Sequence, residues 1–345
     1  MPKTDIRAAI GAIRYPKLEM TLDELKIVEK FIVEDKTLKI ELTMQNAEAF
    51  EIVKKEIETL CKKDFKEVVV SQDLNRKKDM NYGHTQSPNN RAPYAKKVIA
   101  VTSGKGGVGK STTAVNLAIS FAQAGYKVGL LDADVYGPDV PRMLGLDLEK
   151  MKWNDQDKII PGENFGIKTI SVGMTTPRRD TPLVWRSSVA ISALIQFLED
   201  VAWGELDFLF IDMPPGTGDV QLTMAQELPL AAAIIVSTPQ VVANDDVSRA
   251  IMMFKDINVP VGGLVENMAY FIAPDTGNRY DIFGKDGGKN TAIKYDVPFL
   301  GSIPIDMKIR ELSDQGQPPV ALGDPEHKAA YAEIRDKVLD FLSRN

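Results

Sequence analysis

The sequence predicts an α/β fold, a mostly parallel sheet flanked by helices, preceded by a smaller α/β unit. Short, largely apolar runs recur at 98–101, 128–131, 208–211, 232–236, 261–265 and 299–303, and a more mixed one at 168–172, with helical stretches between them. Strands read this way when helices cover both faces of a parallel sheet, because neither face then alternates with water. A glycine-rich segment joins the first run to a helix whose apolar face is Ala114, Leu117, Ala118, Phe121 and Ala122. Between 72 and 96 the composition shifts to Asn, Lys, Arg, Ser, Pro and Gly with almost no apolar periodicity, as in a solvated linker.

Residues 1–71 have a rhythm of their own. Thr4 is placed to cap a short helix that ends at Tyr15-Pro16, and 25–33 reads as a strand. After the Asp35-Lys36 turn, Leu38, Ile40 and Leu42 alternate as a hairpin partner should. Phe50, Val53, Ile57 and Leu60 then recur at helical spacing within 46–62, and 68–70 supplies a last strand. The expected organisation is an αββαβ domain over 1–71, a polar linker over 72–96 and a larger domain over 97–345.

The 345 residues are 44% hydrophobic and 26% charged, the balance of a soluble globular chain long enough for one or two domains. A net charge of -6 argues against a general nucleic-acid binder, which needs clustered Lys and Arg for phosphate contacts. Asp, Arg or Lys breaks every short apolar run near the start, so no signal-peptide core can be drawn there. The most apolar stretch, 228–236, contains Pro229 and falls far short of the ~20 residues that span a bilayer. It reads as a buried strand, and no membrane partner is expected. Cys61 is the only cysteine, so there is no internal disulfide and the expected setting is a reducing cytoplasm.

The chemistry concentrates in Gly104, Lys105, Gly106, Gly107, Val108, Gly109, Lys110, Ser111 and Thr112. Strand, glycine loop and helix in that order form the setting of a P-loop: glycines let backbone N–H groups wrap a phosphate, and the helix N-terminus adds a favourable dipole. Lys110 then neutralises the β and γ phosphates of ATP while the Ser111 hydroxyl ligates Mg²⁺. Gly104, Gly106 and Gly109 also satisfy the spacing of a dinucleotide site, with Asp132 about where a ribose-binding acid belongs. Lys110-Ser111 decides for the triphosphate, since a dinucleotide fold has no use for a cation and a hydroxyl at the helix start.

Mg²⁺ needs a further carboxylate on a neighbouring strand, and Asp212 ends the apolar run 208–211. In the loop after it, Gly216 is placed to offer a backbone N–H near the γ phosphate. Asp132 and Asp134 stand two residues apart and share a face if the strand persists that far. Asp134 is assigned to orienting the attacking water and Asp132 to the water shell of the metal, although either can also serve as a helix cap. Lys105 has no task within its own loop; by default it is an exposed surface lysine.

Together these residues resemble the deviant P-loop ATPases, in which GKGGxGK[ST] carries an additional signature lysine. That resemblance implies a homodimer sandwiching two nucleotides, with Lys105 of each subunit reaching the phosphates held by the other, and slow hydrolysis dependent on the dimer. DADVYGPDVPRML, DMPPGTGD, STPQ, VENMAYF and YDIFG narrow it to the Mrp/ApbC family of iron-sulfur cluster carriers over 98–342. The small N-terminal unit is similar to the MIP18-type domain. The resemblance implies that Asn267 reads the adenine edge and that the loop from Pro304 borders the base. As partners it implies apoprotein clients or iron-sulfur assembly proteins.

One departure stands out. Where the family usually has C-x-x-C, this chain has Ala273-Pro274-Asp275-Thr276. Iron-sulfur clusters are normally held by four thiolates, and a homodimer of a chain with one cysteine offers two. His84 and His327 are the only histidines, so zinc is as poorly supplied. The alternative is a MinD- or ParA-like nucleotide-dependent switch. Against it, Lys328, Arg335, Lys337 and Arg344 of the last helix are balanced by Glu326, Glu333, Asp336 and Asp340, which favours packing on the protein's own core over lipid. A nitrogenase-reductase-like electron carrier fails on the cysteine count.

Overall fold

Helix α1 (Lys3–Gly11), strands β1 (Val28–Glu34) and β2 (Thr37–Leu42), helix α2 (Ala47–Cys61) and strand β3 (Glu67–Gln72) follow one another in the expected α-β-β-α-β order. The computed structural model describes residues 3–16, 21–23, 27–34, 36–44, 47–72, 90–135, 137–146, 150–175, 187–322 and 325–344. Most of the expected linker, and His84 with it, lies outside these residues, as does the side chain of Thr4. β2 pairs antiparallel with β1 and parallel with β3. Leu38, Ile40 and Leu42 point inward along β2, and Phe50, Val53 and Ile57 form the buried stripe of α2, the two periodicities that strand and helix impose. Leu60, expected on that stripe, is exposed, and Cys61 takes the inward position one residue later.

The first helix stops at Gly11, short of Tyr15-Pro16. Tyr15 is buried beyond it, its hydroxyl donating to Asp296 Oδ1 at 2.7 Å. Packing explains that reach along the sequence: one compact unit comprises Met1–Met80, Lys289–Phe299 and Ser343–Asn345, and the other Asn81–Gly288 and Leu300–Leu342.

The remaining strands are β4 (Ala95–Ser103), β5 (Val128–Asp132), β6 (Lys152–Trp153), β7 (Ile159–Ile160), β8 (Gly162–Asn164), β9 (Ile167–Ser171), β10 (Leu206–Asp212), β11 (Leu230–Ser237), β12 (Val261–Glu266), β13 (Phe271–Ile272), β14 (Arg279–Tyr280) and β15 (Phe299–Ser302). Eight of them form one sheet in the order β15-β12-β11-β4-β10-β5-β9-β8. Pairings from β12 across to β9 are parallel, and β8 runs antiparallel to β9. Each apolar run expected to be a strand is one, including 228–236, which lies largely in β11.

Helices α3 (Lys110–Gln123), α4 (Val140–Met143), α5 (Ser187–Asp200), α6 (Asp219–Glu227), α7 (Val241–Asp256), α8 (Gly287–Lys294), α9 (Met307–Asp314), α10 (Pro319–Leu322) and α11 (Pro325–Arg344) connect and cover the strands. Phe121 of α3 meets Phe208 and Phe210 of β10 edge-on, with centroids at 4.8 and 5.1 Å. Tyr331, Ile334, Val338 and Leu342 of α11 pack into the same core, where the balanced charges of that helix led one to expect them. Among the described residues, no helix is long and apolar enough to cross a membrane.

Parallel pairing brings the carboxyl ends of these strands to one side of the sheet, where open α/β sheets bind ligands. Asp212 lies level with Val101 of β4 and with Asp132 of β5, Asp132 with Ser171 of β9, and Ser103 with Val236 of β11.

Phe121→Ala removes the ring that joins α3 to β10. It is expected to lower unfolding free energy by about 3–5 kcal/mol, read from urea denaturation; a loss below 1 kcal/mol, roughly the cost of a surface change, would show that the helix is anchored elsewhere.

Candidate functional site

β4 ends at Ser103 and α3 begins at Lys110, so residues 104–109 make the whole turn between them. Three glycines make its path possible. Gly109 has φ of 81°, the left-handed region that costs an L-residue roughly 1–2 kcal/mol, and a Cβ there would lie 2.1 Å from Asn267 Nδ2. At Gly104 a Cβ would fall 2.4 Å from the carbonyl carbon of Asp246, so α7 presses directly on the start of the loop. Gly107 also takes the left-handed backbone, with φ of 79°, and a Cβ there or at Gly106 would meet nothing within 4 Å. The loop is thus braced behind and open in front.

Further contacts hold the loop in place. Ser103 Oγ donates to the carbonyl of Lys105 at 2.8 Å, Asn267 Nδ2 donates to the carbonyl of Val108 at 2.9 Å, and the Val108 side chain is buried in the core. The Lys105 side chain is half-buried and Thr112 partly so.

At the start of α3, Lys110 Nζ lies 2.6 Å from Asp212 Oδ1 and 3.6 Å from Asp134 Oδ2. Ser111 Oγ donates to the other oxygen of Asp212 at 2.5 Å, and Lys110 Nζ also reaches Ser111 Oγ at 3.1 Å. Asp212 is completely buried. Burial pushes its carboxyl above the usual range, and Lys110 and Ser111 pull against that. One lysine, one hydroxyl and two acids therefore converge where the sequence expects them.

The route by which Asp134 arrives differs from expectation. β5 ends at Asp132, so the two acids do not share a strand face. Instead the Asp134 N–H donates to Asp132 Oδ1 at 3.1 Å, and this short side-chain turn redirects the backbone. The second oxygen of Asp132 accepts the Ser171 hydroxyl at 2.8 Å, and Ser171 Oγ in turn accepts the Gly173 N–H at 3.0 Å. Burial, and then the charge of Asp212, push the Asp132 carboxyl well up. Sequence reasoning missed Ser171; its one signal is a hydroxyl at the end of β9.

The N–H of Gly216, expected to face a phosphate, is a correction. It donates to the carbonyl of Ser103 at 2.9 Å, so it ties the loop after β10 to the end of β4. Gln221, also missed, donates its side-chain amide to the carbonyl of Pro215 in the same loop. Asn267 is buried, with its amide nitrogen committed to the Val108 carbonyl, and its backbone N–H donates to Ser237 O at 2.8 Å. Pro304 is buried beside it in the fold: Ile303 N–H donates to Glu266 O at 2.9 Å and Ile305 N–H to Tyr270 O at 2.6 Å.

Residues 94–339 match the family profile described as "NUBPL iron-transfer P-loop NTPase". The chain belongs to this P-loop NTPase family. A relative from Aquifex aeolicus named iron-sulfur cluster carrier protein is 50% identical over 251 residues, covering 72% of this chain and 69% of that protein. One of the same name from Salmonella typhimurium is 38% identical over 338 residues, 96% of this chain and 90% of that one. Among solved structures, a nucleotide-binding protein from Archaeoglobus fulgidus in complex with ADP superposes with a TM-score of 0.61. It is 41% identical and covers 69% of this chain and 92% of its own. The loop 104–109 and the acids that face it lie inside the matched span, at the carboxyl ends of the parallel strands.

Gly104→Ala tests the bracing of this NTPase loop. Overpacking against α7 is expected to cost about 1–3 kcal/mol in urea denaturation and to weaken ADP binding in calorimetry. Unchanged stability with unchanged affinity would mean that α7 yields without disturbing the loop.

Proposed function

We propose that the chain binds Mg-ATP at residues 104–112 and hydrolyses it slowly as a cytoplasmic homodimer serving iron-sulfur protein assembly. The convergence of Lys110, Ser111 and Asp212 carries this reading. A hydroxyl and a carboxylate are hard oxygen donors of the kind Mg²⁺ prefers, few enough that phosphate and water complete its shell. When bound, the ion supplies charge neutralisation between the β and γ phosphates. The names of the Aquifex and Salmonella relatives support the role in assembly, and the ADP complex of the Archaeoglobus protein supports the nucleotide.

In this reading the open side of Gly106 and Gly107 admits the phosphates to backbone N–H groups, and the Lys110 ammonium neutralises the β and γ oxygens. The Asp134 carboxylate orients the attacking water. Asp132 positions Asp134 through the turn, is itself held by Ser171, and keeps acceptor capacity for the metal's water shell. Lys105 completes the site of a second copy, which gives a half-buried cation at the loop's entry a task. Asn267 accepts from the base with the amide oxygen that the Val108 contact leaves over, and Pro304 borders the base. The domain division 1–71, 72–96 and 97–345, with a MIP18-like first domain, belongs to the same proposal, with Lys289–Phe299 of the larger segment forming part of the first compact unit. Apoproteins or assembly proteins are the clients.

Three substitutions separate these roles. Lys110→Ala removes charge-assisted contacts of about 1.5–3 kcal/mol, so calorimetry with Mg-ATP should show affinity at least about tenfold weaker. Lys105→Ala should leave that affinity alone and lower turnover by on the order of 10³-fold, the lower range for a trans-acting cation; a dimer that turns over normally without Lys105 would refute the sandwich. Ser171→Ala should lower kcat about 10–100-fold with KM unchanged, and an equal loss in affinity would instead mark a structural role.

A further inference from the structure

Relatives of this chain bear the name of cluster carriers, yet its own side chains do not fit a cluster. A [2Fe–2S] or [4Fe–4S] unit is held by four thiolates, with imidazole an occasional substitute. The chain has one cysteine, so two copies bring two thiols at most.

Cys61 cannot present even that one. It is 1% exposed and sits in the core that Phe50, Val53 and Ile57 of α2 share with Leu38 and Ile40. Burial, with the charge of Asp64 adding to it, pushes its thiol up, away from the thiolate that iron requires. Of the two histidines, the described one, His327, is buried, with Nε2 3.4 Å from Asp306 Oδ2. Among the described residues, no group of three or more His, Cys, Asp or Glu could hold a metal ion.

The hairpin β13–β14 repeats the point locally. Its turn is well made: the Ala273 N–H donates to Asn278 O at 2.9 Å and the Gly277 N–H to Ala273 O at 2.8 Å. The residues it presents are Pro274, Asp275 and Thr276, all exposed. These are hard oxygen donors or none, and a soft iron-sulfide core selects thiolate. Neither this turn nor the cysteine and histidine that the structure describes elsewhere thus supplies a cluster's donor set.

We infer that this chain carries no iron-sulfur cluster on its own side chains, and that a cluster whose assembly it serves stays on the cysteines of a partner protein. The inference rests on the proposed role in assembly for its second half only. The chain then contributes the nucleotide-driven step, and the partner contributes the ligands.

Anaerobic incubation of the full chain with ferric iron, sulfide and a thiol that reduces part of the iron, followed by desalting, tests this. Expected are a colourless protein and bound iron no higher than in Cys61→Ala. With an apo-ferredoxin stripped of its [4Fe–4S] cluster in the mixture, all of the visible chromophore should elute with the ferredoxin. A stable brown chromophore with stoichiometric iron and sulfide on the chain alone would overturn the inference, whether Cys61→Ala abolished it or kept it. Mg-ATP turnover is measured on the same preparation. Its absence, or a ferredoxin loading rate that the chain and Mg-ATP do not raise, would remove the proposed function while leaving the ligand argument standing.

Discussion

The carboxylate of Asp212 holds two consecutive residues of α3 at once, the ammonium of Lys110 on one oxygen and the hydroxyl of Ser111 on the other. Taking an acid fully out of water is costly unless it is paired and its oxygens are hydrogen-bonded, and here both conditions are met by a single helix turn. The position of that turn is therefore fixed to the end of β10. Since α3 also packs Phe121 onto Phe208 and Phe210 of the same strand, the polar contact and the apolar one set the same register. Removing Lys110 would leave the buried Asp212 carboxylate with only the Ser111 hydroxyl of these two partners.

That arrangement places unusual demands on the segments around it. The backbone between Ser103 and Lys110 must turn without filling the space in front, which the open sides of Gly106 and Gly107 allow. It must also not recoil, and α7, Asn267 and the buried Val108 side chain hold it from behind. Asp134 comes within reach of Lys110 only because Asp132 bends the chain on itself as β5 ends. Each brace comes from a different strand end. The parallel sheet is what gathers them on one side.

Much of this was legible in the sequence because the sheet is buried on both faces. Runs such as 208–211 and 232–236 are continuous rather than alternating, and they identify strands without any knowledge of their neighbours. The glycine loop, Lys110, Ser111 and Asp212 were legible because the chemistry demands those side chains in that order. Contacts between remote segments were not. The Asn267 to Val108 bond joins residues 159 apart, and nothing local indicates that the Gly216 N–H turns toward Ser103. Strands of two or three residues, β6, β7, β8, β13 and β14, are too short to show any period. The stripe of α2 was read one residue short, at Leu60, because the i+3 and i+4 neighbours of Ile57 are both apolar and only packing selects Cys61.

The ends of the strand order have a consequence for how copies of this protein meet. The outermost members of the eight-stranded sheet are β8, three residues long and antiparallel, and β15, four residues long. An exposed flank of that length offers too few free N–H and C=O groups to recruit a further ladder, which is how natural sheets avoid runaway stacking. Self-association by extending the eight-stranded sheet is thereby disfavoured. Contacts between copies made by this unit fall to its helices and loops.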